Sequence, residues 1–210
     1  MILPQKIREV KVFPYKNWVI QSRNDGILAL RHIESIARIC YQSGHRQDKD
    51  SWEKMTRMLL ELGHHSMFEH AFMYVRVLTS RAIATELRTH RLASFAQEST
   101  RYVKYKDDAE MIGPNIKSVN NNAIYDIYER SFKNSVDAYK ELIEAGEDPQ
   151  DARDALPLAL QAEIAITANL REWMHILKLR TAPGAHPNMI KLATGIKDKA
   201  REIVPILFDE

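Results

Sequence analysis

Arginine, hydroxyl and histidine side chains concentrate in one stretch of this chain. Arg76 to Lys106 holds seven basic residues (Arg76, Arg81, Arg88, Arg91, Arg101, Lys104, Lys106) against two acids (Glu86, Glu98), a local charge of +5. His90, Ser94, Gln97, Ser99 and Thr100 are interleaved with the arginines. Guanidinium and hydroxyl groups at this density suit the gripping of phosphate oxygens. Tyr102 and Tyr105 add faces on which a flat ring can stack. The alternative is a solvated basic face, and the interleaved hydroxyls count against it.

Two further groups carry chemistry. Four of the eight histidines, His64, His65, His70 and His90, fall within 27 residues. His65 to His70, with Glu69 inside it, is one residue longer than the inverted zinc motif H-x-x-E-H. Residues five apart on a helix also point about 140° away from each other. A polar site loop therefore reads better than a metal site. The third group is Asn169, Trp173, Ile176 and Arg180, spaced to share one helix face, with Arg171, His175 and Lys178 beside them. On a buried helix Asn169 and Arg180 need partners: an acid such as Asp151 or Asp154, or an anionic ligand.

The elements that must position these groups read as follows. Glu9 to Phe13 alternates, and with Val19 and Ile20 it reads as strand around a turn at Pro14 to Asn17. Ile27 to Tyr41 is helical, with Cys40 on its apolar face as a small core residue. Asp50 or Ser51 caps a helix that Gly63 stops. His64 to His70 is a loop, and Ala71 to Thr79 alternates as a strand. Ser80 to Thr89 is a short helix, Leu92 to Tyr105 shows no clear period, and Asp108 to Asn122 has no firm assignment. Ala123 to Ala145 is a long helix ended by Gly146, followed by an acidic loop to Asp154. Pro157 fits the first turn of a helix running to about Arg180, and Asn188 to Ile203 is the last helix. Strands and helices mix without a βαβ rhythm, so the fold class is α+β with a mixed or antiparallel sheet and long helices.

Composition narrows the classes. The chain has 210 residues, 45% hydrophobic and 28% charged, with a net charge of +2. It is long enough for one domain spanning 1–210 with a core of its own. A global polyanion binder is usually more basic, which leaves a nucleic-acid module built on residues 76–106 as the chief rival to an enzyme. A metal-dependent hydrolase using His64, His65, Glu69 and His70 is the second rival. A single cysteine excludes an internal disulfide and a cysteine zinc cluster. Met1 to Val10 has no signal-peptide core and no run approaches a membrane span, so the expected location is cytoplasmic. The closest pair among seven glycines is 11 residues apart, which excludes a Rossmann fingerprint and a P-loop. A bound nucleotide would be held by side chains.

Together the three groups resemble one family, the flavin-dependent thymidylate synthases. Thr89-His90-Arg91, seven residues, then Ser99-Thr100-Arg101-Tyr102 resembles the family's Arg-His-Arg signature, with Thr89 in place of the first arginine. Gly63-His64-His65-Ser66-Met67-Phe68-Glu69-His70 is similar to its His-x-Ser-x-Phe-Glu-His block. Leu156-Pro157-Leu158, Asn169-Leu170-Arg171 and Leu179-Arg180-Thr181 are similar to its C-terminal helix. The resemblance implies a homotetramer with FAD sites at subunit interfaces and no nucleic-acid or membrane partner. It implies reductive methylation of dUMP to dTMP, with methylenetetrahydrofolate as carbon donor and NADPH reducing FAD. By the same resemblance, Ser66, Thr89, His90, Arg91, Gln97, Asn169, Arg171 and His175 contact FAD, and His64 lies nearby. Glu86, Arg88, Gln97, Glu98, Ser99, Thr100, Arg101, Arg153 and Arg180 surround dUMP. Arg180 is the implied catalytic residue, facing the uracil, and Ser99 is the second candidate. No metal is implied. Cys40 has no adjacent base in sequence, so a thiolate mechanism is not expected.

Overall fold

Alternating apolar positions and capped amphipathic runs set the architecture. The computed structural model describes residues 11–13, 23–105, 109–113 and 122–209. The expected strand residues outside 11–13, the turn at Pro14 to Asn17, Lys106 and most of the 108–122 stretch lie outside the described residues. The elements are β1 (Lys11–Phe13), α1 (Arg23–Ile39), α2 (Ser51–Glu61), β2 (Phe72–Ser80), α3 (Arg81–Leu87), β3 (Ala93–Gln97), α4 (Asn122–Glu144), α5 (Pro149–Ala152), β4 (Gln161–Asn169), α6 (Leu170–Arg180) and α7 (Pro187–Ile203). Short 3₁₀ turns cover Gly44–Arg46, His65–His70 and Arg153–Ala155. The strands form a small antiparallel sheet in the order β1-β2-β4-β3, and the class is α+β.

The chain divides into two compact units: one of Met1–Lys11, Val77–Thr89 and Ala96–Ile164, the other of Val12–Arg76, His90–Phe95 and Ala165–Glu210. In the second unit α1 packs on α2, α7 and the His65–His70 turn, and α6 packs on that turn and on α7. Leu30 and Ile33 of α1, Leu59 of α2, Phe68 of the turn, and Trp173 and Ile176 of α6 are buried there. The indole nitrogen of Trp173 donates to the Met73 carbonyl at 2.8 Å, which ties α6 to β2. Gly26 of α1 is a close-approach glycine: a Cβ there would lie 1.6 Å from the Ile203 carbonyl oxygen of α7. Glu34 and Arg38 form a buried ion pair one turn apart at 2.7 Å, and the Gln47 amide donates to the Arg31 carbonyl beside it at 3.0 Å.

In the first unit, α4 packs on α5 and on the Arg153–Ala155 turn. Its core gathers Tyr105, Met111, Phe132, Val136, Tyr139 and Leu160. Met111 and Leu160 form an antiparallel bridge.

Several expectations change. The largest concerns residues 157–180, which are not one helix. Pro157 opens a turn, and β4 follows with every second residue (Ala162, Ile164, Ile166, Ala168) buried. Four alanines in Leu156–Asn169 favour a helix by propensity, but the period of two decides the state once one face meets a core. β3 lies in the stretch without a readable period. It is an edge strand, and neither of its faces is fully buried, so no alternation was needed. The acidic loop contains α5, begun by Pro149 in its first turn. The His64 to His70 loop is a 3₁₀ turn. Asp50 holds the N-cap position of α2 without a side-chain bond. Asp48 takes that role, its carboxylate accepting from the Asp50 and Ser51 N–H groups at 2.8 Å each. Those two donors lower the Asp48 carboxyl below its usual range. Finally, Cys40 is exposed. Helix α1 stops one residue earlier, and Gln42 at φ 48° turns the chain away.

Candidate active site

Asn169 ends β4 and starts α6 without a loop between them. It is the N-cap, its side-chain oxygen accepting from the Glu172 N–H at 2.8 Å. Asn169 therefore precedes the helix rather than lying on its face with Trp173, Ile176 and Arg180. The cap fixes the first turn of α6, from which Arg171 and Glu172 project in different directions. Arg171 is exposed and forms an ion pair with Glu69 of the His65–His70 turn, a second tie between that turn and α6. Ser66 in the same turn is exposed, as are His64 and Arg91.

Glu172 is buried, and so is His90. His90 Nδ1 lies 3.5 Å from Glu172 Oε1. On its other side, Arg180 Nε donates to His90 Nε2 at 3.0 Å. The His175 ring meets the His90 ring edge-on, with centroids 5.7 Å apart. Burial, then the charge of Arg180 and the proximity of His175, push His90 down from 6.5 to about 4. His90 is thus neutral at pH 7, and its contact with Glu172 is not a charged pair. The hydrogen bond requires the same conclusion, since a guanidinium Nε keeps its hydrogen and its acceptor must be an unprotonated nitrogen.

The remaining expected residues belong to the other unit and have their own arrangement. Glu98 follows β3, and its backbone N–H donates to the Glu163 carbonyl at 2.9 Å. Its carboxylate accepts from the Tyr105 hydroxyl and, at 3.4 Å, from the Glu163 N–H. Its carbonyl accepts from Arg81 at 3.2 Å. Burial, then the bond to Glu98, raises the Tyr105 phenol well above its ordinary range. Ser99 Oγ accepts from the Arg101 N–H at 3.3 Å, and the Ser99 carbonyl accepts from Tyr102 and Val103 at 3.2 and 3.0 Å, closing a turn. Arg101 lies over the Tyr102 ring at 5.5 Å. Thr100 is buried, while Gln97 is half-buried and Glu86, at the last turn of α3, likewise. Arg88 caps the end of α3 and is exposed, and Arg153 is exposed in its 3₁₀ turn. Thr89, at the position of the first signature arginine, turns its hydroxyl back onto the Glu86 carbonyl at 2.7 Å.

Two of these arrangements escaped the sequence reading. Glu172 was absent from it because an acid in a helix's first turn is ordinary. Its spacing from Ile176 and Arg180, four and four, was the available signal. Tyr105 was assigned to stacking, whereas it is buried on Glu98 and Tyr139. Among the described residues no group of three or more His, Cys, Asp or Glu is arranged to hold a metal ion.

Each group is a polar cluster in its own unit of an α+β chain, and each combines a guanidinium with an aromatic ring. A profile of the family described as "Thymidylate synthase complementing protein" matches residues 28–206. A relative named flavin-dependent thymidylate synthase, from Geobacter sulfurreducens, is 31% identical over 181 residues, covering 82% of this chain and 77% of its own. One of the same name from Pyrococcus furiosus is 30% identical over 174 residues, covering 79% and 70%. A probable flavin-dependent thymidylate synthase of Mycobacterium phage L5 is 29% identical over 190 residues, covering 84% and 78%. The chain belongs to the thymidylate synthase complementing protein family.

Proposed function

We propose that this protein is a flavin-dependent thymidylate synthase that methylates dUMP reductively to dTMP, with methylenetetrahydrofolate as carbon donor and NADPH as reductant. The observation that carries this reading is the cluster of Arg180, His90 and His175, with exposed Arg171 in the first turn of the same helix α6, on a chain of this family. The donor set suits a flavin dinucleotide: Arg91 and Arg171 offer cations for a diphosphate, and Ser66 offers a hydroxyl. In this reading Ser66, Thr89, His90, Arg91, Gln97, Asn169, Arg171 and His175 hold FAD. Asn169 does so mainly by fixing the start of α6, because its oxygen is engaged in the cap. When bound, FAD supplies the hydride that completes the methyl group.

The protein's own part is positioning and charge. Glu86, Arg88, Gln97, Glu98, Ser99, Thr100, Arg101 and Arg153 surround dUMP, and the cations among them take its phosphate. Glu98 contributes chiefly by holding the turn that begins at Ser99. Arg180 donates toward uracil O2 and toward N3 in its deprotonated, enolate-like form, which stabilises negative charge there as it develops. Ser99, accepting from Arg101 within that turn, is a substrate-orienting hydroxyl in this scheme. No thiolate is required, and Cys40, the only thiol, lies past the end of α1 rather than on α6 or the Ser99 turn. The basic residues described in 76–106 are spread over several elements, Arg76 in β2, Arg81 in α3, Arg88 at its C-cap, Arg91 before β3, and Arg101 and Lys104 after it, which favours a small anionic ligand over a nucleic acid.

One profile match running through both units supports reading 1–210 as one domain. The assembly proposed is a homotetramer sharing flavin sites. The location proposed is the cytoplasm, and no described helix is long and apolar enough to cross a membrane. The test is an absorption spectrum of the purified protein with FAD, followed by addition of dUMP and an assay for dTMP. Flavin bands that shift with dUMP, and dTMP formation dependent on NADPH and methylenetetrahydrofolate, are expected. A protein that takes up no FAD would refute the reading.

A further inference from the structure

We propose that Glu172 is a positioning residue for Arg180, acting through His90. Arg180 Nε donates to His90 Nε2 at 3.0 Å, so that ring nitrogen carries a lone pair. The neutral imidazole then holds its one hydrogen on Nδ1, and Nδ1 faces Glu172 Oε1 at 3.5 Å. A carboxylate only accepts, so it selects the Nδ1–H tautomer, the one tautomer in which Nε2 can receive Arg180.

The placement of the three groups follows from α6. Glu172 and Arg180 sit eight residues apart on one helix, a rise of about 12 Å, too far to meet directly. His90, from the segment before β3, spans the interval. Glu172 itself is fixed at the third helical position, where its own N–H is taken by the Asn169 cap at 2.8 Å. Both Glu172 and His90 are nearly sealed, with 7% and 6% of their surface exposed. In such surroundings a polar line from carboxylate through imidazole to guanidinium is stronger than its separate contacts in water. The bond to Nε sets the plane of the Arg180 guanidinium, which is the group assigned to the uracil.

The tautomer stands on geometry alone, whereas its consequence for turnover rests on the proposed function. The first measurement is a nitrogen-15 NMR spectrum of the full chain, reading the His90 ring nitrogens and the Arg180 Nε–H exchange rate. The wild type is expected to carry the Nδ1–H tautomer. Glu172→Ala is expected to mix the tautomers, so that Nε2 accepts only part of the time, and to speed Arg180 Nε–H exchange about tenfold, equivalent to about 1.4 kcal/mol. Glu172→Gln keeps an accepting oxygen and is expected to restore both. A wild-type Nε2–H tautomer would overturn the proposal, and that result does not depend on whether Glu172→Ala folds. So would an Arg180 exchange rate unchanged in a folded Glu172→Ala. In the turnover assay kcat is expected to follow the tautomer, reduced in Glu172→Ala and rescued in Glu172→Gln. An Nδ1–H tautomer in a protein without activity on dUMP would refute the proposed function and leave the Glu172–His90–Arg180 line standing.

Discussion

His90 makes a stability prediction with a definite sign. In the unfolded chain its imidazole titrates near 6.5, while in the fold it is lowered to about 4, first by burial and then by Arg180 and His175. Between those two values the unfolded chain binds a proton that the folded one refuses, so stability falls as pH drops from about 6.5 to about 4. It is constant in this respect above and below that window. At about 1.4 kcal/mol per pH unit, the interval corresponds to on the order of 3 kcal/mol. That is a substantial share of a typical domain's 5–15 kcal/mol. The geometry gives the cause: a protonated ring would lose Nε2 as an acceptor and place a second cation 3.0 Å from Arg180. The assay is urea unfolding of the wild type and of His90→Gln at half-unit steps from pH 7.5 to 4. Glutamine cannot titrate there, so the wild-type advantage is expected to shrink by about 3 kcal/mol across the window. A difference between the two proteins that stays flat with pH would refute the reasoning. An NMR titration placing His90 near 6.5 in the folded protein would do the same.

Other outcomes follow from particular contacts. Gly26→Ala ought to stabilise α1 by up to about 1 kcal/mol on helix propensity, yet its methyl carbon would meet the Ile203 carbonyl oxygen at 1.6 Å. A loss of about 3 kcal/mol is therefore expected from overpacking, and a higher denaturation midpoint would disprove the close approach of α1 to α7. Arg180→Ala is expected to retain FAD, read from the absorption spectrum, while kcat falls by a factor of about 100 or more; wild-type turnover would remove the role given to Arg180. Cys40→Ser is expected to keep wild-type dTMP formation, and an inactive but folded variant would reopen a thiolate mechanism.

What the sequence made legible divides along physical lines. Elements with one buried face and a capped end were readable: β2 from its alternation, α3 from Ser80 and its apolar pair, and α4 from its length and Gly146, which takes φ 97°. Elements decided by tertiary surroundings were not. β4 hid under alanines and a helix-starting proline, and its period of two gained meaning only where a core met Ile164 and Ile166. β3 hid because an edge strand with two half-open faces needs no hydrophobic code. Cys40 was misplaced because a period cannot show where a helix ends. Among site residues, cations and histidines drew notice through their local density. Glu172 did not, since its significance lies in a contact with a residue 82 positions earlier in the chain.

The error at residues 157–180 also explains how the site is held. β2 and β4 each run nine residues and pass directly into a helix, and in each case the strand's last residue supplies the cap. Ser80 accepts from Ile83 N–H at 3.3 Å, and Asn169 accepts from Glu172 N–H at 2.8 Å. A single long helix would place Asn169 and Arg180 on one face as two similar ligands. The strand-to-helix junction gives them different work. Asn169 sets the origin of α6, and everything downstream, Arg171 toward Glu69, Glu172 and Arg180 toward His90, is measured from that point. With no intervening loop, the direction of the strand fixes the start of the helix. Such precision is needed if a guanidinium is to be held to within a fraction of an ångström of a reacting ring. Under the proposed function, the capping hydrogen bond at Asn169 then serves the geometry of the reaction as well as the stability of the helix.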